Sequence, residues 1–182
     1  MRRSHPLPKI WLMTDARFGV DQLRAIQQLP ARSGVVFRHY ELATQQRRAL
    51  FAEVLRICRR RGHIVLLAGD ARTALRWHAD GFHQRNRGQA KLLHSAPVHN
   101  AREIADVKRC SPDLLFLSPL FSTNSHPGAR PLGPLMFQRL AKLAKPKRVI
   151  ALGGMSRQSA QMLGPGTIHG WAAIDAFRKK TA

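Results

Sequence analysis

Several short stretches carry side chains able to act on an anionic substrate, and each follows directly on an apolar run. In GVVFRHY, Arg38 supplies a planar guanidinium that can hold two phosphate oxygens at once; a structural ion pair beside the strand end is the alternative. In ALGGMS, Gly153 and Gly154 stand where a strand gives way to a helix, so bare backbone N–H groups could approach an anion, or simply make a tight turn. His99, at the end of KLLHSAPVH, offers an imidazole suited to general acid or base work near neutral pH, or to packing at the mouth of the fold. The stretch FLSPLFSTNSHPGARPLG, Phe116 to Gly133, breaks from an apolar run into hydroxyls, one imidazole, glycines and prolines. His83, alternating with Phe82, reads as structural. His39, His63, His78 and His169 lack the spacing of metal ligands, so no zinc site is expected.

Positioning such groups requires a scaffold, and periodicity supplies one. Apolar strands are expected at 10–15, 34–40, 63–69, 81–84, 91–98, 113–120, 148–154 and 167–174, mostly each followed by a helix-like stretch. Continuous Val, Ile and Leu runs are the habit of parallel strands covered on both faces. Eight such units fit a (β/α)₈ TIM barrel, of the α/β class, better than an open doubly wound sheet. The barrel is short, and Gln84 to Lys91 leaves no room for a proper helix, so a reduced β4–β5 connection is expected. Asn100 and Glu103 read as a capping box that opens the helix after His99. No linker or repeat divides residues 1–182, so one domain is expected. Chemistry in a barrel sits at the carboxyl ends of its strands, which is where the residues above fall.

Composition narrows the partners. A net charge of +21 calls for an anionic partner, but the basic residues are spread over nearly every segment. Neither a helix-turn-helix nor an aromatic stacking platform accompanies them, so no specific nucleic acid is expected. The apolar runs are too short to cross a bilayer, so no membrane association is expected. The two arginines near the N-terminus precede only a brief apolar stretch, Ile10 to Met13, unlike a signal peptide, so the expected location is cytoplasmic. Cys58 and Cys110 lack the spacing of a metal knuckle or redox pair and read as reduced. Homo-oligomerisation is compatible with the sequence.

The order of motifs resembles the thiamine phosphate synthase and thiazole tautomerase (TenI-like) family from about Ile10 to Phe177. The combination of ADGFH, VHNARE, SPLFSTNSHPGARPLG and ALGG carries the likeness. The resemblance implies a barrel in thiamine biosynthesis that condenses hydroxymethylpyrimidine diphosphate with thiazole phosphate, giving thiamine phosphate and pyrophosphate with the help of Mg²⁺. It assigns Arg38 to the diphosphate, and Thr123, Ser125 and His126 to hydroxyl, hydroxyl and lysine positions that contact the substrates' phosphates. Gly153 and Gly154 match the pair that receives the thiazole phosphate. His99 matches the histidine with which the tautomerase branch moves a proton.

The departures from the family pattern concern the metal. Asp70 is the carboxylate left to a Mg²⁺ ion, offset by one residue from the family's pattern, and the second acid falls near Gly88 in the acid-free QRNRGQAK. Tyr40 replaces a lysine, and Pro97 a serine. Losing a carboxylate weakens a site built on oxygen ligands. Arg85, Arg87 and Lys91 could neutralise a diphosphate instead. The resemblance therefore leaves three readings: a transferase of the synthase type, a metal-independent thiazole tautomerase, and a catalytically silent barrel that binds a phosphorylated metabolite.

Overall fold

The computed structural model describes residues 6–86, 91–125, 128, 130–164 and 166–178. His126 and Gly88 lie outside the described residues. The strands are β1 (Ile10–Met13), β2 (Gly34–Phe37), β3 (Ile64–Ala68), β4 (Gly81–His83), β5 (Leu93–Val98), β6 (Leu114–Leu117), β7 (Arg148–Ala151) and β8 (Gly170–Ala173). Each pairs in parallel with the next, and β8 returns to β1 to close the barrel. This is the (β/α)₈ TIM barrel read from the sequence.

Alternation along the strands divides the apolar residues between two surroundings. On β6, Leu114 and Phe116 join Trp11 of β1 and Ile150 of β7 in the barrel interior, whereas Leu115 and Leu117 pack outward with Phe137, Leu140 and Ala141. The indole of Trp11 meets the Phe116 ring edge to face at 5.5 Å and donates from Nε1 to the Pro8 carbonyl at 2.9 Å. Gly34 faces that indole in register, and a Cβ there would collide with the ring. The glycine is what lets so large a side chain fill the base of the barrel.

The helices are α1 (Gln22–Gln28), α2 (Thr44–Arg61), α3 (Ala71–Arg76), α4 (Ala101–Lys108), α5 (Gly133–Ala144) and α6 (Arg157–Gln161), with 3₁₀ turns at Ala16–Asp21 and Asp175–Phe177. Local sequence sets their ends. Asp70 caps α3 by accepting from Thr73 N, Pro134 stands in the first turn of α5, and Gly62 ends α2 in the left-handed region at φ 67°. Among the described residues no helix lies between β4 and β5, as the short connection requires. Phe82 of β4 and His94 of β5 stack outside the sheet there, 4.3 Å between centroids and 15° between planes. Among the described residues no helix is long and apolar enough to cross a membrane.

All eight strands are shorter than their apolar runs, and most stop early at the carboxyl end. Residues just past the strand ends still bond to the neighbouring strand, as Thr14 N does to the Val36 carbonyl at 3.0 Å, and add side-chain links. Thr14, just past β1, receives the backbone N–H of Arg38 on its hydroxyl at 2.8 Å.

Candidate active site

The carboxyl ends of the strands surround a cavity of about 140 Å³. Arg38, His99, Thr123, Ser125 and Gly153 line it, above an apolar floor of Met13, Leu152 and Ile174. A neighbouring recess of about 300 Å³ shares Thr123, Ser125 and Gly153 and adds Gly154. Of the described candidate residues, Arg38, His99, Thr123, Ser125, Gly153 and Gly154 line one or both of these spaces, whereas Asp70, Arg85 and Lys91 line neither.

Arg38 is fixed before any substrate arrives. Its Nε donates to the Thr14 carbonyl at 2.8 Å and its Nη2 to Asp15 Oδ2 at 2.6 Å. The guanidinium is thus ion-paired at the rim, as one of the two sequence readings has it, and it also lines the cavity. Its backbone is secured from behind by Arg47, whose Nε donates to the Arg38 carbonyl and whose Nη2 donates to the Ala68 carbonyl, each at 2.7 Å. Tyr40 lies over the Arg47 guanidinium at 5.2 Å and Trp77 at 5.6 Å. The residue in the family's lysine position is thus part of a cation–π stack that clips β2 to β3.

Asp15 and Arg17, which no motif in the sequence marks, also belong to this mouth. Asp15 caps the 3₁₀ turn after β1 through Arg17 N and accepts from Arg17 Nε at 2.7 Å as well as from Arg38. Burial pushes the Asp15 carboxyl up, but the hydrogen bonds from Arg17 and the charge of Arg38 outweigh it and hold it below the usual range. Arg17 also reaches Asp175 Oδ1 at 3.2 Å and Ser125 Oγ at 2.7 Å. No local pattern announces this residue, because its partners lie after β6 and β8.

His99 stands one residue before the cap of α4. Asn100 Oδ1 accepts from Glu103 N at 2.9 Å, as expected, but Glu103 does not bond back to Asn100. Its Oε2 instead accepts from His99 N at 2.8 Å and contacts His99 Nδ1 at 2.9 Å, with Arg85 Nη2 at 2.9 Å from the same oxygen. The expected capping box is corrected in this half: the imidazole and guanidinium draw the carboxylate one residue upstream. Burial pushes Glu103 up, yet the hydrogen bonds from His99 and the charges of His99 and Arg85 leave it lowered. Arg85 Nη2 lies 3.0 Å from the same Nδ1, so that nitrogen is engaged within the chain by Glu103 and Arg85, and Nε2 is the ring nitrogen without a described partner.

The glycine pair is forced by its surroundings. Gly153 has φ 96° and Gly154 φ 61°; a Cβ on Gly153 would sit 2.7 Å from Pro119 Cα, and one on Gly154 would sit 2.6 Å from the Ser122 carbonyl. Ser156 caps α6 in a reciprocal box with Ser159, so that helix's leading N–H groups are partly satisfied within the chain. The N–H groups of Gly153 and Gly154 donate no hydrogen bond among the described residues. Thr123 Oγ1 accepts from Ser125 N at 3.3 Å, ordering the facing hydroxyls.

The carboxyl mouth of this closed parallel barrel thus carries a guanidinium, hydroxyls and glycine N–H groups without a described partner. The family model described as thiamine monophosphate synthase matches residues 13–177, and the chain belongs to that family. A curated protein of Aquifex aeolicus (strain VF5), provisionally named thiamine-phosphate synthase 2, is 23% identical over 183 residues, covering 94% of this chain and 98% of its own. Among solved structures, the thiamine phosphate pyrophosphorylase of Pyrococcus furiosus superposes with a TM-score of 0.78 at 18% identity, over 92% of this chain and 86% of that one. The 2-keto-3-deoxy-6-phosphogluconate aldolase of Zymomonas mobilis ZM4 reaches 0.64 at 12% identity, over 91% and 80%. These two structural likenesses concern the fold.

The described residues do not assemble a preformed protein site for the Mg²⁺ that the family implies. Asp70 Oδ1 accepts from Thr73 N and Oδ2 from Thr73 Oγ1, both at 2.8 Å, so each oxygen already serves the cap of α3. Among the described residues, no group of three or more His, Cys, Asp or Glu gathers to hold a metal ion. His83 is equally unsuited to proton transfer near neutrality. Burial, with the charges of Arg38 and His94, pushes its ring down to about 3, and its Nδ1 is bonded to Ser95 Oγ at 2.8 Å.

Proposed function

We propose that this barrel binds a thiazole phosphate at the glycine pair and condenses it with hydroxymethylpyrimidine diphosphate. The observation that carries the reading is the single cavity joining Arg38 and His99 on one side to Thr123, Ser125 and Gly153 on the other. The Gly153 and Gly154 N–H groups and the Ser125 hydroxyl take the thiazole phosphate in the recess. Arg38, preset by Thr14 and Asp15, faces the diphosphate. The carbon–oxygen bond to the diphosphate breaks with its electron pair leaving on pyrophosphate, and the thiazole nitrogen forms the new bond to the pyrimidine methylene. Fixed cations at the leaving group do this work without reorganising at the moment of bond cleavage. Arg85, on the His99 side, adds positive charge there.

A second reading is favoured by the pairing of His99 with Glu103. Metal-independent tautomerisation of a thiazole carboxylate phosphate needs one positioned base and a phosphate site, and Nε2 of His99 could move that proton. Supplying the purified protein with both thiamine precursors, with EDTA or with Mg²⁺, and separately with the non-aromatic thiazole carboxylate phosphate, separates the readings. Thiamine phosphate formed in EDTA and lost in Arg38→Ala supports the condensation. Aromatisation lost in His99→Gln, without any condensation, replaces it with the tautomerase. Saturable phosphate-ligand binding with neither product leaves a binding protein and overturns both.

A further inference from the structure

Asp15 lines neither of the two spaces at the barrel mouth, yet both of its carboxylate oxygens are committed to arginines that serve them. It stands two residues past β1 in extended backbone, at φ −156° and ψ 142°. Oδ1 accepts from Arg17 N at 3.1 Å and from Arg17 Nε at 2.7 Å, while Oδ2 accepts from Arg38 Nη2 at 2.6 Å. One carboxylate thus holds together two guanidiniums that would otherwise repel each other. Its side chain is 17% exposed, so these bonds are partly shielded from competing water.

The two arginines serve different parts of the mouth. Arg38, just past β2, lines the cavity. Arg17, in the 3₁₀ turn after β1, donates from Nη2 to Ser125 Oγ at 2.7 Å, and Ser125 lines the recess that holds Gly153 and Gly154. A chain of hydrogen bonds, Arg38–Asp15–Arg17–Ser125, therefore runs from the loop after β2 to the loop after β6. Arg17 has a second carboxylate in Asp175, 3.2 Å away, but among the described residues Arg38 has no ion pair besides Asp15.

We propose that Asp15 is a positioning residue common to both subsites: it sets the Arg38 guanidinium for the diphosphate and, through Arg17, the Ser125 hydroxyl for the thiazole phosphate. The proposal rests on the condensation reading above, which supplies the two ligands. Charge alone would act in the opposite direction. A carboxylate near an anion site opposes binding through its field, so neutralising it would tighten both ligands if charge were its whole contribution. Positioning reverses the sign. Asparagine keeps one acceptor oxygen and replaces the other by an NH₂ group, so it can hold one guanidinium but meets the other with donors. The arginines then lose their preset orientation, and the ligands must bear the cost of ordering them.

The test is calorimetric titration of the full chain with inorganic pyrophosphate and, separately, with thiazole phosphate. Both should bind the parent saturably, and Asp15→Asn should weaken each by roughly threefold to tenfold, the scale of one charge-assisted hydrogen bond at a partly exposed site. Asp15→Ser retains an oxygen to cap the 3₁₀ turn but is too short to bridge the guanidiniums, and should give the same pattern. Arg17→Ala should weaken chiefly thiazole phosphate. Adding Asp15→Asn to it should then weaken pyrophosphate with little further loss of thiazole phosphate, because both changes break one chain of contacts. Unchanged or tighter binding of either ligand in a folded Asp15 variant, or additive losses of thiazole phosphate in the double variant, overturns the proposal and leaves the condensation reading standing. Failure of the parent to bind either ligand overturns both. Circular dichroism of each variant, matching the parent, ties the losses to the mouth rather than to unfolding.

Discussion

Arg17 and Ser125 meet across the barrel mouth: Nη2 of the arginine donates to the serine Oγ at 2.7 Å, although 108 residues separate them. The same guanidinium is held by Asp15 and Asp175, so it fixes the loop after β6 relative to those after β1 and β8. Ser125 thereby acquires one orientation beside Gly153.

If that tie positions the hydroxyl for a phosphate, Arg17→Ala should weaken binding of thiazole phosphate, and Arg17→Lys should rescue it only in part. One charge-assisted hydrogen bond at a partly exposed site is worth about 1 kcal/mol, or roughly fivefold in affinity. Calorimetric titration of the ligand reads the effect, and unchanged affinity in Arg17→Ala would count against a positioning role.

Alanine at the glycine pair should damage folding as well as binding. Gly153→Ala or Gly154→Ala combines a left-handed backbone with collision against the loop after β6. Gly164, at φ 73° with nothing within 4 Å of its missing Cβ, isolates the backbone contribution. Strain alone costs about 1–3 kcal/mol, so thermal unfolding should fall modestly in Gly164→Ala and further in Gly154→Ala. Equal shifts would mean that the close approach to Ser122 and Phe121 does not matter.

Stability should decline with acidity well before the carboxylates titrate. The unfolded His83 ring takes up its proton near the ordinary 6.5, whereas the folded ring stays neutral until about 3. The unfolded chain therefore binds more protons between those values, and the stabilisation from the neutral ring is full above 6.5 and is lost as pH falls toward 3. Urea midpoints measured across that window should slope downward in the parent and less so in His83→Gln. An identical slope in the variant would assign the acid sensitivity to other groups.

The barrel was legible because buried parallel strands write themselves as continuous apolar runs, and Leu114 to Leu117 is one such run. Strand ends were not, since Thr14 and Arg38 add to the ladder a side-chain bond that no periodicity encodes. Arg38, His99, Thr123, Ser125 and Gly153 could be placed at one mouth because the barrel rule converts position along a strand into position in space. Arg17 escaped, as did the upstream turn of Glu103, because their geometry is decided by partners distant in sequence or competing for one oxygen.

The pairing of β8 with β1 also bears on how the chain acquires its structure. Every other strand pairs with its neighbour in sequence, whereas Ile10 pairs with Trp171. Joining them incurs the largest loop-closure entropy in the sheet, so this seam is expected to form last. Until it does, β1 and β8 are open edges with unsatisfied backbone groups. A chain shortened before Gly170 would leave β1 and β7 as two permanently open edges, and its hazard would be self-association through strand addition rather than the loss of a few contacts.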